Sequence, residues 1–271
     1  TLAMKGLFLT NLDQEQEGLR IAKEGVMKSL KSYISWHVLG LVYRAGRDYG
    51  EAIKCYCKAL EIDPSNMQIT RDLALLLAQT RRYAELLEVR KKIVEALPNE
   101  RIYKIGLAVA YHLNKQYQQA IDTIEAIFSD EGSEDLKKPG FETSELVLYR
   151  NTLYELGGQI EKAYLDLREH RHLVVDVTSL LAQRANLLHK LGLNDKAAAA
   201  YERLLERNPE DETFIESYLG CHDVSATDDA SSGAAVELLD QLAARFPSSN
   251  VLKLWPLRLT SGDEFRRRAD E

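Results

Sequence analysis

Cysteine is scarce in this chain of 271 residues, which contains three. Cys55 and Cys57 lie two residues apart on a predicted helix, so their side chains point in different directions and cannot pair with each other. The chain therefore has no disulfide framework, and a reducing, intracellular compartment is favoured. It also lacks an apolar run of membrane-spanning length and a signal peptide. We therefore expect a cytoplasmic protein without a membrane partner.

Positive charge is also limited, because 35 Lys and Arg residues face 42 Asp and Glu residues and give a net charge of −7. Broad contact with nucleic acid or anionic lipid is driven by Lys and Arg, so this segment is not expected to make it. The hydrophobic content of 45% and the charged content of 28% are usual for a soluble protein. Because the chain begins at Thr1 rather than at Met, we interpret it as a piece of a longer protein.

The chain does contain a repeat of 34 residues, which is clearest at residues 33–66. The pattern there is W-x2-L-G-x2-Y…A-x3-F…P, the spacing of a tetratricopeptide (TPR) repeat, with Tyr in place of Phe. Small residues are expected where the two helices of a repeat cross closely, aromatic residues fill the space around the crossing, and proline ends the second helix. The matched positions are Trp36, Leu39, Gly40, Tyr43, Ala52, Tyr56 and Pro64.

The same step of 34 residues continues along the chain. Forward from residue 66 it gives repeats at 67–100 and 101–134, and backward it gives a first repeat that is cut short. After a charged segment with Pro139 and Gly140 the pattern resumes at 144, although Asn151 replaces the small residue. Four of the six prolines take the closing position of a repeat. Further repeat positions are Gly6, Gly18, Gly25, Pro98, Ala120, Ala163, Ala197 and Pro209.

These repeats predict an all-α protein in which TPR helix pairs stack in a right-handed α-solenoid, an α-α superhelix. Proline and glycine interrupt the pattern near the end of the chain, where a different helical packing is expected. The predicted organisation is TPR repeats 1–4 at 1–133 (the first truncated), an inserted loop at 134–143, TPR repeats 5–7 at 144–248 with a mobile loop near 223–233, and the start of a following helical region at 249–271.

Several segments contain residues that the general TPR pattern does not require. They are WHVLGL (36–41), EAIKCYCKAL (51–60), NMQITRDL (66–73), AVAYHL (108–113), SELVLY (144–149), ERNPE (206–210) and LTSGDEF (259–265). They resemble, in order, the auxiliary, TPR-containing subunit of N-terminal acetyltransferase A (NatA). The family protein is much longer, so the resemblance implies that this chain corresponds to an N-terminal portion of it.

The resemblance implies a non-catalytic scaffold subunit rather than an enzyme. Such a subunit holds the catalytic N-acetyltransferase subunit and anchors it to the ribosome for co-translational N-terminal acetylation. Acetyl-CoA would be bound by the catalytic partner, so no cofactor is expected on this chain, and the complex allows for further regulatory subunits. A second function stays open at this point, which is a generic TPR adaptor that binds another protein's helix or peptide, as co-chaperones do.

No catalytic or metal-binding arrangement is evident from the residues. The stretch 47–52 fits the R/Q-x-x-G-x-G/A pattern that holds acetyl-CoA pyrophosphate, but it lies in a predicted turn between helices rather than after a strand. His170 and His172 lack further ligands at suitable spacing. Cys221 and His222 are neighbours on a predicted helix and do not face each other. We therefore expect no catalytic residue and no metal.

The concave groove of TPR arrays is lined by positions 2, 5, 9, 12 and 13 of the first helix of each repeat, a family-level rule applied here by register. These positions carry no Lys–Asn carboxylate clamp of the chaperone-adaptor type, and their apolar content favours a partner's helices or an extended apolar segment. The alternative is that superhelical winding buries them within the array. The candidate partner-binding residues are Ile34, His37, Leu41, Arg44, Arg71, Leu75, Ile102, Ile105, Val109, His112, Leu148, Asn186 and His189.

Overall fold

The computed structural model describes residues 1–130, 132, 134–224 and 232–259. Within these ranges the chain forms fifteen α-helices and two short 3-10 helices and no strand. It divides into two compact units, residues 1–127 and 128–271. The LTSGDEF segment after Leu259, most of the loop predicted near 223–233 and the part of 249–271 that begins at 260 lie outside the described residues.

The first unit is built from four helix pairs. The first helices of the second, third and fourth pairs begin at residues 33, 67 and 101, and their second helices begin at 49, 83 and 117, so both series advance by 34 residues. The helices are α1 (Leu2–Asn11), α2 (Glu15–Lys28), α3 (Tyr33–Ala45), α4 (Tyr49–Ile62), α5 (Met67–Gln79), α6 (Tyr83–Ala96), α7 (Arg101–Leu113) and α8 (Tyr117–Ser129), the last of which ends just beyond the unit.

Short polar side chains fix where helices begin in this unit. Ser32, Asp48 and Asn66 each accept a hydrogen bond from the backbone N–H three residues later, at 3.3, 3.2 and 3.2 Å. Each bond satisfies an N–H that the helix itself leaves without a partner. At the other end, Pro64 and Pro98 follow α4 and α6 within two residues, where a proline prevents the helix from continuing.

The crossing of α3 and α4 shows what the repeat positions do. Ala52 and Tyr56 are fully buried, and a Cβ added to Gly40 would lie 2.4 Å from Cε1 of Tyr56. The glycine thus leaves room for the tyrosine ring at the closest approach of the two helices. Trp36 and Tyr43 are half-buried beside this core, and the indole N–H of Trp36 donates to the carbonyl of Leu30 at 2.9 Å.

The turn inside each pair contains one residue with left-handed backbone conformation. Its φ lies between 56° and 61° in the first unit, where the residue is never glycine, whereas two pairs of the second unit use glycine. For a residue with a side chain this conformation is unfavourable, because Cβ approaches the following carbonyl oxygen. The residues are Asp13, Arg47, Arg81 and Lys115 in the first unit, and Gly158, Gly192 and Asp223 in the second.

Replacing Arg81 with glycine is expected to stabilise the first unit by roughly 0.5–1 kcal/mol. The left-handed conformation costs a non-glycine residue about 1–2 kcal/mol, and the greater freedom of glycine in the unfolded chain offsets part of that gain. Urea unfolding measures the difference. The matched control is Arg82→Gly, since Arg82 has a φ of −83° and pairs with Glu85, and this change should destabilise the unit. Destabilisation by both changes would contradict the argument.

The described residues of the second unit form three helix pairs and a further helix. A 3-10 turn (Glu134–Lys137) lies in the segment expected to be a loop, and its Leu136 is buried. The helices are α9 (Phe141–Leu156), α10 (Ile160–Glu169), α11 (Val177–Lys190), α12 (Asn194–Leu205), α13 (Glu212–Cys221), α14 (Ser232–Arg245) and α15 (Asn250–Leu259), with a second 3-10 turn at Arg171–Leu173. None of the helices in the described part of the chain has the length and hydrophobicity needed to cross a bilayer.

Asn151 explains how this unit tolerates a larger residue at a small-residue position. Its side chain is buried, and its Nδ2 donates to the backbone carbonyl of Ala163 at 2.6 Å. Ala163 is itself fully buried on the facing helix α10. In this pair a side-chain hydrogen bond therefore joins the two helices. At the same position of the second pair, Gly40 leaves room for the ring of Tyr56 instead. In the next pair, Ala197 and Tyr201 are buried at the places that Ala52 and Tyr56 take in the second pair.

Candidate partner-binding surfaces

The outward side of the first helices α3, α5 and α7, which we call the A-helix face, carries exposed apolar side chains. Leu75 on α5 is 53% exposed and Ile102 on α7 is 65% exposed. Ile34 and Val109 are also exposed on this face, so the packing of the array does not cover these four side chains. Such a set of apolar groups in water is what a docking surface presents to a partner.

The remaining candidates of the first unit divide by exposure. The arginines among them are exposed, and the histidines and the other aliphatic residues are half-buried. Half-buried residues combine a packing role with an accessible edge. The exposed group is Arg44 and Arg71, and the half-buried group is His37, Leu41, Ile105 and His112.

Polar contacts join successive helices along the A-helix face. His37 Nε2 lies 3.1 Å from Asp72 Oδ2, and Arg71 Nη1 donates to the hydroxyl of Tyr103 at 3.0 Å. The first contact links α3 to α5 and the second links α5 to α7. The ring of His37 also packs at 5.3 Å from the ring of Tyr56. These residues therefore hold neighbouring pairs in register in addition to lying on the exposed side.

The second unit uses its candidates mostly for its own structure. Asn186 donates to Glu155 Oε2 at 3.5 Å, and Lys190 forms an ion pair with the same carboxylate, which links α9 to α11. His189 Nδ1 lies 3.1 Å from Asn194 Oδ1. Leu148 differs from the expectation that it lines a groove, because it is buried in a core cluster that includes Leu187 of α11.

A second apolar surface lies between α4 and α6, with α5 as its floor; we call it the B-helix groove. Its volume is about 740 Å³, and Leu60, Met67, Leu77 and Val89 contribute apolar lining. The rule that points to first helices does not consider grooves between second helices, so sequence reasoning missed it. Cys57 also lines the groove. Its side chain is exposed, but the neighbouring groove residues partly desolvate the thiol and raise its pKa, so the thiol stays protonated at neutral pH.

The acetyl-CoA-like stretch at 47–52 is a turn between helices. Arg47 has left-handed backbone conformation, and the preceding element is helix α3 rather than a strand. The carboxylate of Asp48 already accepts the N–H of Glu51 at the start of α4. A negative cap at this position would repel a pyrophosphate, which is the group that the pattern binds elsewhere. The geometry supports a structural role for these residues.

The other cysteine and histidine side chains considered from the sequence also take part in packing or ion pairs. Cys221 is buried, which raises the pKa of its thiol, and the ring of His222 lies 4.8 Å from that of Tyr218. His170 forms an ion pair with Asp166 at 3.1 Å, and this carboxylate raises the pKa of His170. No group of three or more potential metal ligands occurs among the residues that the structure describes.

Comparison with known proteins places the chain in a family. Residues 141–271 match the family described as N-terminal acetyltransferase A, auxiliary subunit, and residues 33–66 match the tetratricopeptide repeat. The NAA15 auxiliary subunit of Arabidopsis thaliana is 36% identical over 98% of this chain and 30% of its own length. The human protein N-alpha-acetyltransferase 16, a NatA auxiliary subunit, is 31% identical over the whole chain and 31% of its own length.

A solved structure agrees with these matches. A chain in the structure of Naa15/Naa10 bound to HypK-THB is 36% identical to this one, with a TM-score of 0.80 over 99% of this chain and 40% of that chain. The predicted all-α fold of stacked TPR helix pairs is thereby confirmed. The chain spans about a third of the length of the curated relatives that it matches. It belongs to the family of N-terminal acetyltransferase A auxiliary subunits.

Proposed function

We propose that this chain is part of a non-catalytic scaffold subunit of an N-terminal acetyltransferase A complex, which holds the catalytic acetyltransferase subunit and positions it. The match over nearly the whole chain to NatA auxiliary subunits, one of them in a structure with Naa10, is the observation that supports this role most. The described residues support it further, since apolar side chains are exposed on the A-helix face and the candidate chemical groups are engaged in packing and ion pairs. Acetyl-CoA would then be bound by the catalytic partner.

Co-purification tests the scaffold role. The full-length protein that contains this chain, expressed in its own cells with an affinity tag, is expected to bring down an acetyltransferase subunit in a stoichiometric amount. The complex should acetylate peptides from acetyl-CoA, and the auxiliary protein alone should not. Absence of an acetyltransferase from the purified material would contradict the proposal and favour a generic TPR adaptor for other partners.

Ribosome anchoring and a cytoplasmic location belong to the same proposal, because co-translational acetylation requires the enzyme beside the emerging chain. The net charge of −7 makes this segment unsuited to contact with ribosomal RNA, so we assign that contact to other parts of the full-length protein. Sedimentation of the full-length protein with ribosomes at graded salt concentration tests the assignment. A further regulatory subunit is also part of the proposal, since the related structure contains HypK-THB.

We assign partner contact in the first unit to the A-helix face, and a paired substitution tests this assignment. Leu75→Asp with Ile102→Asp in the full-length protein is expected to weaken binding of a partner on this face at least about a hundredfold, because two carboxylates would be buried against apolar groups. Both side chains are exposed, so helicity should be unchanged. Binding is measured by titration of the labelled complex.

The matched control replaces exposed apolar residues elsewhere in the same unit. Leu12 and Met27 are 69% and 71% exposed, and neither lies on α3, α5 or α7. Leu12→Asp with Met27→Asp should leave affinity and helicity unchanged. Equal binding by both double variants would show that the A-helix face is not used, while leaving the scaffold role itself to the co-purification experiment.

A further inference from the structure

Arg90 occupies the place in the third helix pair that Tyr56 occupies in the second, 34 residues earlier. Tyr56 is fully buried and its ring packs where Gly40 leaves room. Arg90 is half-buried and lies against Gly106 of α7, where an added Cβ would be 2.9 Å from Nη1 and 3.2 Å from Cζ. The repeat thus has a guanidinium at a position suited to an aromatic core residue, and a glycine on the next helix accommodates it.

This guanidinium has no charged partner among the described residues. Neither a carboxylate at ion-pair distance nor a hydrogen-bond acceptor lies next to it there, and the one electrostatic neighbour is the phenol of Tyr103. Burial lowers the pKa of Arg90 from its ordinary value, although arginine remains a cation at neutral pH. By contrast, Arg82, the residue just before the same helix, binds both oxygens of Glu85 at 2.6 and 2.7 Å. A half-desolvated cation without an acceptor is unfavourable for the free protein.

Arg71 brings a second guanidinium to Tyr103. Its Nη1 donates to the hydroxyl of Tyr103, and its Nε donates to the carbonyl of Met67 at 3.2 Å, but no carboxylate of the described chain pairs with it. Because the Tyr103 oxygen accepts from Arg71, its own proton is free to be donated to another group. Tyr103 on α7 is thus the hydrogen-bond partner of Arg71 from α5 and the electrostatic neighbour of Arg90 from α6, and neither guanidinium pairs with a carboxylate among the described residues.

We propose that Arg90, Arg71 and Tyr103 form a binding site for the side-chain carboxylate of an Asp or Glu on a partner protein. Planar guanidinium groups match the geometry of a carboxylate and bind it in bidentate fashion. The exposed Leu75 lies one turn along α5 from Arg71, so an acidic residue within an otherwise apolar segment suits the surface better than a strongly hydrated phosphate. The net charge of −7 also disfavours a polyanion.

This inference rests on the proposed function in one respect: the site lies beside the A-helix face, to which we assign partner contact. Its test uses the intact 271-residue chain and defined probes, so a failure would leave the co-purification result unaffected. The probes are a short fluorescent, end-blocked peptide of Leu, Ser and Glu, the same peptide with Gln in place of Glu, and inorganic phosphate as a competitor. Fluorescence anisotropy reports binding.

The acidic peptide should bind at least about tenfold more tightly than the Gln peptide, and Arg90→Gln should remove that preference. Arg82→Gln is the matched control, because it removes an arginine at the start of the same helix that already has a partner, and it should leave the preference intact. Equal affinity for both peptides, or an unchanged preference in Arg90→Gln, would overturn the proposal. Phosphate that displaces the acidic peptide at a concentration below the peptide's own dissociation constant would overturn the choice of a carboxylate.

Thermal unfolding separates a binding role from a structural one. Arg90→Leu should raise Tm, since it removes an unpaired charge from a site that suits an apolar side chain, and it should abolish the preference for the acidic peptide. Gly106→Ala should weaken acidic-peptide binding at unchanged helicity, because the added methyl group displaces the guanidinium. A lower Tm for Arg90→Leu would show that the arginine is there for stability and would overturn the assignment.

Discussion

Replacing Gly18 with leucine is expected to destabilise the first helix pair by at least about 3 kcal/mol, the upper end of what overpacking costs. A Cβ at Gly18 would lie 2.3 Å from Thr10 Oγ1, 2.7 Å from the carbonyl oxygen of Gly6 and 2.8 Å from the backbone N of Thr10. Two of these atoms are backbone of α1, so no side-chain rotation relieves the overlap. The helices α1 and α2 must separate, which exposes the buried Ala22 and Val26.

Hydrogen exchange followed residue by residue is the measurement for this variant. Protection should fall most within α1 and α2, less in α3, and least in α7 and α8, because each pair of a repeat array is stabilised by its neighbours. The control is Gly50→Leu, where the nearest atom to an added Cβ is Asp48 Oδ1 at 3.8 Å, and it should leave protection nearly unchanged. Equal loss of protection along the whole unit would contradict the nearest-neighbour picture.

The same tight crossing shows why the fold could be predicted from the sequence. Gly6, Gly18 and Gly25 fall on small-residue and packing positions when the 34-residue step is continued backward from Gly40, and in the structure an added Cβ at each would meet the facing helix at 2.3–2.6 Å. The requirement for a small residue is local to each helix pair. The small residue therefore recurs once in each repeat, and the sequence alone reveals it.

The surfaces were less predictable, because exposure depends on which neighbour covers a position. Leu75 and Leu148 both take a groove position by register, yet the former is exposed and the latter is covered in a cluster with Leu187. Arg90 illustrates the same limit for charge. Its helix carries Glu85 and Glu88, but these pair with Arg82 and Lys91 instead. Only the arrangement of the helices shows that Arg90 has no acceptor among the described residues.

Substituting Asp166 with alanine is expected to cost about 3–5 kcal/mol, since it leaves a buried charge without its partner. Arg150 binds both oxygens of Asp166, at 2.7 and 3.3 Å, and the two side chains are 6% and 12% exposed. The guanidinium of Arg150 also lies 4.9 Å from the centre of the Phe128 ring, which covers it on that side. Urea unfolding of the intact chain measures the loss.

The dependence of stability on pH provides a second measurement on the same carboxylate. Asp166 raises the pKa of His170 in the folded chain, so the His170 contribution is fully present below the unfolded pKa of about 6.5 and is lost as pH rises through the folded value. In Asp166→Ala this contribution should disappear. The difference in unfolding free energy between the chain and the variant should therefore be larger at pH 5.5 than at pH 8, and a difference that increases with pH would contradict the assignment.

Two further variants determine whether the cost comes from burial of the charge. Glu24→Ala removes an exposed carboxylate that pairs with Lys28 at 2.9 Å, and it should cost less than about 1 kcal/mol. Arg150→Met combined with Asp166→Leu replaces both charges with apolar groups of similar size and should restore most of the stability lost in Asp166→Ala. If the double variant were as unstable as the single one, the loss would stem from packing or from the contact with His170, and not from the unpaired guanidinium.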